Sequence, residues 1–187
     1  MAIVLPTPKD RNVLFNKQVT QESIGELSKQ IIEINHDDEY ISELNKLHGY
    51  TYTPKPIKLY IDSYGGAVYQ CFGLLGLIEK SKTPIHTIVT GCAMSCGFLM
   101  SISGHKRFAY NKSTLLYHQI SGVEYGKMKD IEEGIIEMRH LQKLVEQHTI
   151  NHTKISREKL KQVYKEKIDW FITAKEALKL GVIDEII

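Results

Sequence analysis

The sequence predicts an α/β protein built on a largely parallel sheet. Two observations predict it. Short apolar runs with strand-like alternation recur along the chain, and between them lie longer stretches whose apolar residues repeat at helical spacing. Size and composition agree with one domain. The chain has 187 residues, 42% hydrophobic and 25% charged, enough for a sizeable core over residues 1–187. Its 24 basic and 22 acidic residues leave a formal charge of +2, spread without a basic stripe. That pattern points away from nucleic-acid and membrane-surface binding. No apolar run approaches the roughly 20 residues of a membrane span. The N-terminal "MAIVLPTPKD" is too short in its apolar part for a secretory signal. The expectation is a cytoplasmic protein.

The elements follow in order. "VLF" (13–15) is a strand. Thr20 caps a helix to about Asn35, with Ile24, Leu27, Ile31 and Ile34 on one face. Residues 36–56 are polar and read as a long surface connection with one helical turn at most, closed by two prolines. "IKLYID" alternates Ile57, Leu59 and Ile61 and is a strand; "SYGGA" is a turn. A helix runs from Val68 to Lys80, with Cys71, Phe72, Leu75 and Ile78 at helical spacing. Thr83-Pro84 ends it. "IHTIV" (85–89) is a buried strand, and "SCGFLMSI" opens the next helix after a tight turn of small residues. "SGHKRFAYNKS" reads as turns, and "TLLYHQI" as a strand ending near His118. A long helix is expected from about Lys127 to Thr149, with the stripe Ile131, Ile135, Met138, Leu141 and Val145. Ser156 caps "REKLKQVYKE". Thr173 and Glu176 form a capping box, Gly181 stops that helix, and "VIDEII" closes the sheet.

Chemistry concentrates in four places, each with a plain alternative. Ser95 sits at a crowded strand-to-helix junction, outside a strand's carboxyl end, where sites collect in open α/β sheets. It is either a helix cap or a nucleophile. The two glycines of "SYGGA" are either an ordinary turn or a source of exposed amides. His118 follows a strand and is either structural or a base. The remaining histidines, His36, His48, His86, His105, His140, His148 and His152, fall in less ordered or helical-surface contexts. Asp169 precedes a capped helix and is either a turn residue or an orienting acid. Taken together the four supply nucleophile, base, acid and oxyanion amides, which is what acyl transfer needs. Cys71, Cys92 and Cys96 fit neither a disulfide framework nor a zinc set, and a nucleophilic Cys96 is the sharper alternative to buried thiols.

The stretches "NVLFNKQVTQESIGELSKQIIEIN", "YIDSYGGAVYQCFGLLGLIEKSKTPIHTIVTGCAMSCGFLMSISGHKRFAYNKSTLLYHQISG" and "IDWFITAKEALKLGVIDEII" resemble, in order, the ClpP family of compartmentalised serine proteases. The resemblance implies a ClpP/crotonase-like fold, with mainly parallel strands in stacked sheets, flanking helices and a handle at about 119–150. It implies Ser95 as nucleophile, His118 as base and Asp169 as orienting acid. The backbone amides of Gly66 and Cys96 would form the oxyanion hole. It implies hydrolysis of unfolded polypeptides inside heptameric rings stacked in pairs, an AAA+ unfoldase as a candidate partner, and no cofactor or metal. The sequence departs from the family in four respects. Few residues precede "VLF" and the axial-loop pattern is missing, the 36–56 connection is long, Trp170 replaces a basic residue associated with ring stacking, and no tail follows "DEII". These trimmed features resemble divergent ClpP-like proteins, phage-encoded ones among them. Rival readings are a phage head-maturation protease, a crotonase-type acyl-CoA enzyme and a non-catalytic ring subunit.

Overall fold

The computed structural model describes residues 9–187, so the N-terminal apolar segment considered above lies outside the described residues. In chain order the elements are β1 (Asn12–Phe15), α1 (Gln21–Leu47), β2 (Ile57–Ser63), α2 (Val68–Lys80), β3 (Ile85–Met94), α3 (Cys96–Ile102), β4 (Lys106–Ala109), β5 (Thr114–Tyr117), α4 (Met128–His152), α5 (Arg157–Glu166), β6 (Trp170–Thr173), α6 (Ala174–Lys179) and β7 (Glu185–Ile186). The expected caps are present. The Thr20, Ser156 and Thr173 side chains accept from the backbone N–H three residues on, and Gly181, at φ +62°, follows α6.

Seven strands form one hydrogen-bonded sheet. Its main path is β1-β2-β3-β4-β7, all parallel. The sheet forks at β3. The first half of β3 pairs with β4, and its last residues, Cys92–Met94, pair with β5. Strand β6 is antiparallel to β5. The alternation read in β2 is real, with Ile57, Leu59, Ile61 and Ser63 inward. Helix α3 lies at the centre of the molecule, every one of its residues buried.

The structure corrects three expectations. First, α1 does not stop at Asn35 but continues to Leu47, so the connection shrinks to residues 48–56. The polar residue that interrupts the pattern, Asp38, is buried. It accepts from Arg11 Nη1 at 2.9 Å and Nη2 at 2.6 Å, from Tyr52 Oη at 2.6 Å and from Thr83 Oγ1 at 2.6 Å. Second, β3 runs through residues 90–94, which the sequence suggests as a turn. Its register against β2 shifts between Ile61 and Ser63, where Asp62 Oδ1 accepts from Cys92 N at 2.9 Å. Gly91 makes room for this, since a Cβ there would stand 2.6 Å from the same oxygen. Third, β4 lies in the stretch read as turns, and β6 immediately follows Asp169.

Helix α4 is two halves in one. Its buried residues, Leu141, Gln142, Val145 and Thr149, all lie in the C-terminal half. The N-terminal half exposes Met128, Ile135 and Ile136, beside an exposed segment 121–126 carrying Val123 and Tyr125. Among the described residues no helix is long and apolar enough to cross a membrane.

Candidate active site

Ser95 is the joint between β3 and α3. Its backbone has φ +54° and ψ −118°, a left-handed φ that a residue with a Cβ adopts only when its surroundings hold it. Two main-chain bonds do the holding. Ser95 N–H donates to Leu116 O of β5 at 3.0 Å, and Ser95 O accepts from Leu99 N of α3 at 3.2 Å. The hydroxyl makes no capping bond, which sets aside the helix-cap reading. The small neighbours are a steric requirement. A Cβ on Gly65 would fall 2.7 Å from Met94 O, 2.8 Å from Ser95 Cβ and 2.9 Å from Cys96 N, and one on Gly97 would fall 2.8 Å from Ser63 O.

His118 follows the end of β5, and Asp169 immediately precedes β6. The antiparallel register pairs Tyr117 with Trp170, so the two flanking residues meet. His118 Nδ1 lies 3.6 Å from Asp169 Oδ1, with the imidazole mostly covered and the carboxylate mostly exposed. Ser95 and His118 line one narrow cleft of about 30 Å³ with Cys96, Leu99, Tyr117 and Val145. A roomier hollow of about 340 Å³ lies beneath α1, and Asp38, the buried one of the three acids on its wall, is already saturated by donors.

Gly66 forms an isolated parallel bridge with Val19, through Val19 N–H to Gly65 O at 2.8 Å and Ala67 N–H to Val19 O at 2.9 Å. In such a bridge the N–H and C=O of the middle residue both point away from the partner strand. The Gly66 carbonyl indeed turns toward α3 and accepts from Cys96 Sγ at 3.2 Å. The Gly66 N–H shares that side. The Cys96 N–H belongs to the first turn of α3, where no intrahelical acceptor exists. The amides of Gly66 and Cys96 therefore come from the turn before α2 and the first turn of α3, which a buried thiol stitches together. Cys71 Sγ extends the stitch by donating to Cys96 O at 3.5 Å.

This arrangement counts against Cys96 as a nucleophile, because its sulfur is buried and turned inward. The neighbouring Cys96 sulfur and burial hold the Cys71 thiol well above its ordinary value. Burial, then the Asp62 carboxylate, pushes Cys92 up to about 11. One expectation about the other histidines also changes. His148 is largely buried on α4, and burial, with His152 alongside, pushes it down to about 4.

The family described as Clp protease matches residues 7–187, nearly the whole chain. The chain belongs to the Clp protease family. A similar curated protein is the ATP-dependent Clp protease proteolytic subunit of Deinococcus radiodurans, 33% identical over 133 residues. The match covers 70% of this chain and 64% of that protein, so the chain spans less than two thirds of its length.

In this Clp protease family member, two contributors to the site go unread in the sequence, and a third, Gly65, is read only as one of a glycine pair. Gly65 abuts the Ser95 turn, the Leu116 carbonyl holds the Ser95 amide, and Tyr117 lines the cleft. Gly65 carried a signal in the Gly-Gly pair. The other two act through backbone and packing, which residue type does not reveal.

Proposed function

We propose that the chain is a serine endopeptidase of the Clp type. The observation that carries the reading is the strained Ser95, its hydroxyl not spent on capping, in one cleft with His118, whose Nδ1 faces Asp169. In the proposed mechanism His118 Nε2 takes the proton of Ser95 Oγ as that oxygen attacks a peptide carbonyl. Asp169 steadies the imidazolium from the Nδ1 side. The amides of Gly66 and Cys96 receive the oxyanion. His118 then protonates the departing amine, and water hydrolyses the acyl-enzyme. No step calls on a cofactor.

The forked, mainly parallel sheet and the two-part α4 support the finer ClpP/crotonase-like assignment and the handle. The apolar residues exposed on the N-terminal half of α4 and on 121–126 support assembly into rings. Substrates would then be unfolded polypeptides entering a chamber in the cytoplasm, with an AAA+ unfoldase as partner. A crotonase-type acyl-CoA reaction is less well served, because the cleft beside Ser95 is small for such a ligand.

The test is labelling of the purified protein with a fluorophosphonate, followed by mass-spectrometric mapping. A single adduct on Ser95, lost in His118→Ala, is expected. An adduct elsewhere, or labelling that survives His118→Ala at full rate, overturns the reading.

A further inference from the structure

Away from this cleft, three side chains from distant parts of the chain converge on one point. Glu79 comes from the last turn of α2, and His148 and His152 stand one helical turn apart at the end of α4. Glu79 Oε1 lies 3.5 Å from His148 Nδ1 and 3.6 Å from His152 Nε2. All three donor atoms lie within 4.8 Å of one another.

The hydrogen bonds on the far sides of the two rings fix which nitrogens carry protons. Ser103 Oγ donates to Leu99 O at 2.7 Å, so its proton is already committed. The 2.9 Å contact between Ser103 Oγ and His148 Nε2 must then be an N–H from the ring. His148 Nδ1, on the Glu79 side, is left with a lone pair. His152 Nδ1 lies 2.9 Å from His148 O, and a carbonyl only accepts, so that nitrogen carries the proton. His152 Nε2 is then the ring nitrogen on the Glu79 side. His148 Nδ1 and His152 Nε2, the ring nitrogens not engaged in those bonds, thus both face the Glu79 carboxylate.

The separations of 3.5 and 3.6 Å exceed the roughly 2.7–2.9 Å of a charge-assisted hydrogen bond. They match the edge of a coordination tetrahedron, about 3.4 Å when each donor is about 2.1 Å from the ion. Each ring is braced at its other nitrogen, as outer-shell partners brace metal-bound histidines.

We propose that Glu79, His148 and His152 bind a divalent transition metal of the Zn²⁺ class. Two imidazoles select against Mg²⁺ and Ca²⁺, which take oxygen ligands. Glu79 and His152 are partly exposed, so a fourth position stays open to water. The ion would pin the end of α4 to the end of α2, above the Ser103 cap of α3. No zinc spacing shows in the sequence because the carboxylate, Glu79, stands 69 residues before the first histidine, His148.

The experiment uses the full-length chain, carrying no histidine tag and stripped with a chelator. Zn²⁺ is titrated in competition with a chromophoric chelator, and Co²⁺ is added separately as a spectroscopic probe. One ion per chain is expected, with the intense visible bands of four-coordinate Co²⁺. Glu79→Gln and His152→Gln should each abolish tight binding. Ser103→Ala should weaken it roughly 10–100-fold, as loss of an outer-shell partner does. His36→Gln, at an exposed histidine on α1, should change nothing. Equal Zn²⁺ affinity in wild type, Glu79→Gln and His152→Gln would mean binding at other histidines and overturns the site. If a variant fails to fold, zinc-edge anomalous diffraction from wild-type crystals soaked in Zn²⁺ decides. A peak among the three side chains upholds the proposal, and its absence there overturns it.

Discussion

His118 Nδ1 stands 3.6 Å from Asp169 Oδ1, beyond the roughly 2.7–2.9 Å of a charge-assisted hydrogen bond. The pair is held by the Tyr117–Trp170 register of the ladder rather than by a tight bond of its own. Asp169 is also exposed, so in the proposed mechanism water would share the task of stabilising the imidazolium. Asp169→Asn is therefore expected to slow acylation by less than the roughly 10⁴-fold seen where a buried acid is lost from a triad. The rate of fluorophosphonate labelling measures this. An unchanged rate would remove Asp169 from the mechanism.

Ser95→Ala should abolish peptide hydrolysis, by on the order of 10⁶ in turnover. Ser95→Gly should do the same yet be more stable than Ser95→Ala by about 1 kcal/mol, because glycine adopts φ +54° without strain. Urea unfolding of the two variants compares them directly. Equal stability would show that the Ser95 backbone is not strained.

The three cysteines give a cleaner discrimination. Cys96→Ala should keep its fluorophosphonate label on Ser95, and a thiol reagent should react slowly with the native protein, since all three sulfurs are buried. Mass spectrometry after alkylation, before and after denaturation, reads this out. Loss of labelling in a folded Cys96→Ala protein would revive the thiol reading.

Asp38 should make stability depend on acid. Burial by itself would raise its pKa, but hydrogen bonds from Arg11, Thr83 and Tyr52 outweigh it and hold the carboxylate below its ordinary value. A carboxylate lowered on folding contributes its full stability above its unfolded pKa, about 3.9. That stability drains away as the pH falls from there through the lower folded value. Asp38→Asn should destabilise by about 3 kcal/mol and flatten this acid limb, as measured by chemical unfolding from neutral pH down to strong acid, well below the unfolded value of about 3.9. An acid limb unaltered in Asp38→Asn would assign the pH dependence to other groups.

Two glycines should respond in opposite directions. Gly73 lies inside α2 with nothing within 4 Å of a Cβ, so Gly73→Ala should stabilise by about 1 kcal/mol. Gly66 has φ +145° and would place a Cβ 2.3 Å from Val19 O. Gly66→Ala should displace the amide proposed to receive the oxyanion and lose both stability and labelling. Thermal unfolding and labelling of each variant test the pair.

Much of the fold was legible because its signals are local. Thr20, Ser156 and Thr173 announce their helices, and Ile57, Leu59 and Ile61 announce their strand. The misread elements depend on partners far along the chain. Asp38 looks like a break in α1 until Arg11, Tyr52 and Thr83 surround it. Residues 90–94 look like a turn until Asp62 and β5 engage them. Strands β4 and β6 are four residues each, too short to show a period. At the candidate site, Ser95 and His118 stand out by residue type and position, and Gly66 and Cys96 only through the family resemblance, whereas the Leu116 carbonyl is invisible in a sequence because every residue has one.

That carbonyl bears on how accurately the cleft can be made. Ser95 N–H is bonded to Leu116 O, and His118 stands two residues further along the same segment. The dimension between the Ser95 hydroxyl, the proposed nucleophile, and the imidazole is thus set through one main-chain joint and two residues of backbone. Asp169 is reached through one further joint, the last rung of the β5–β6 ladder. Positional error accumulates with each joint in an assembly, so the shortest chain of parts lies between the two groups whose spacing must be held most closely. The acid, a joint further out, works to a looser tolerance.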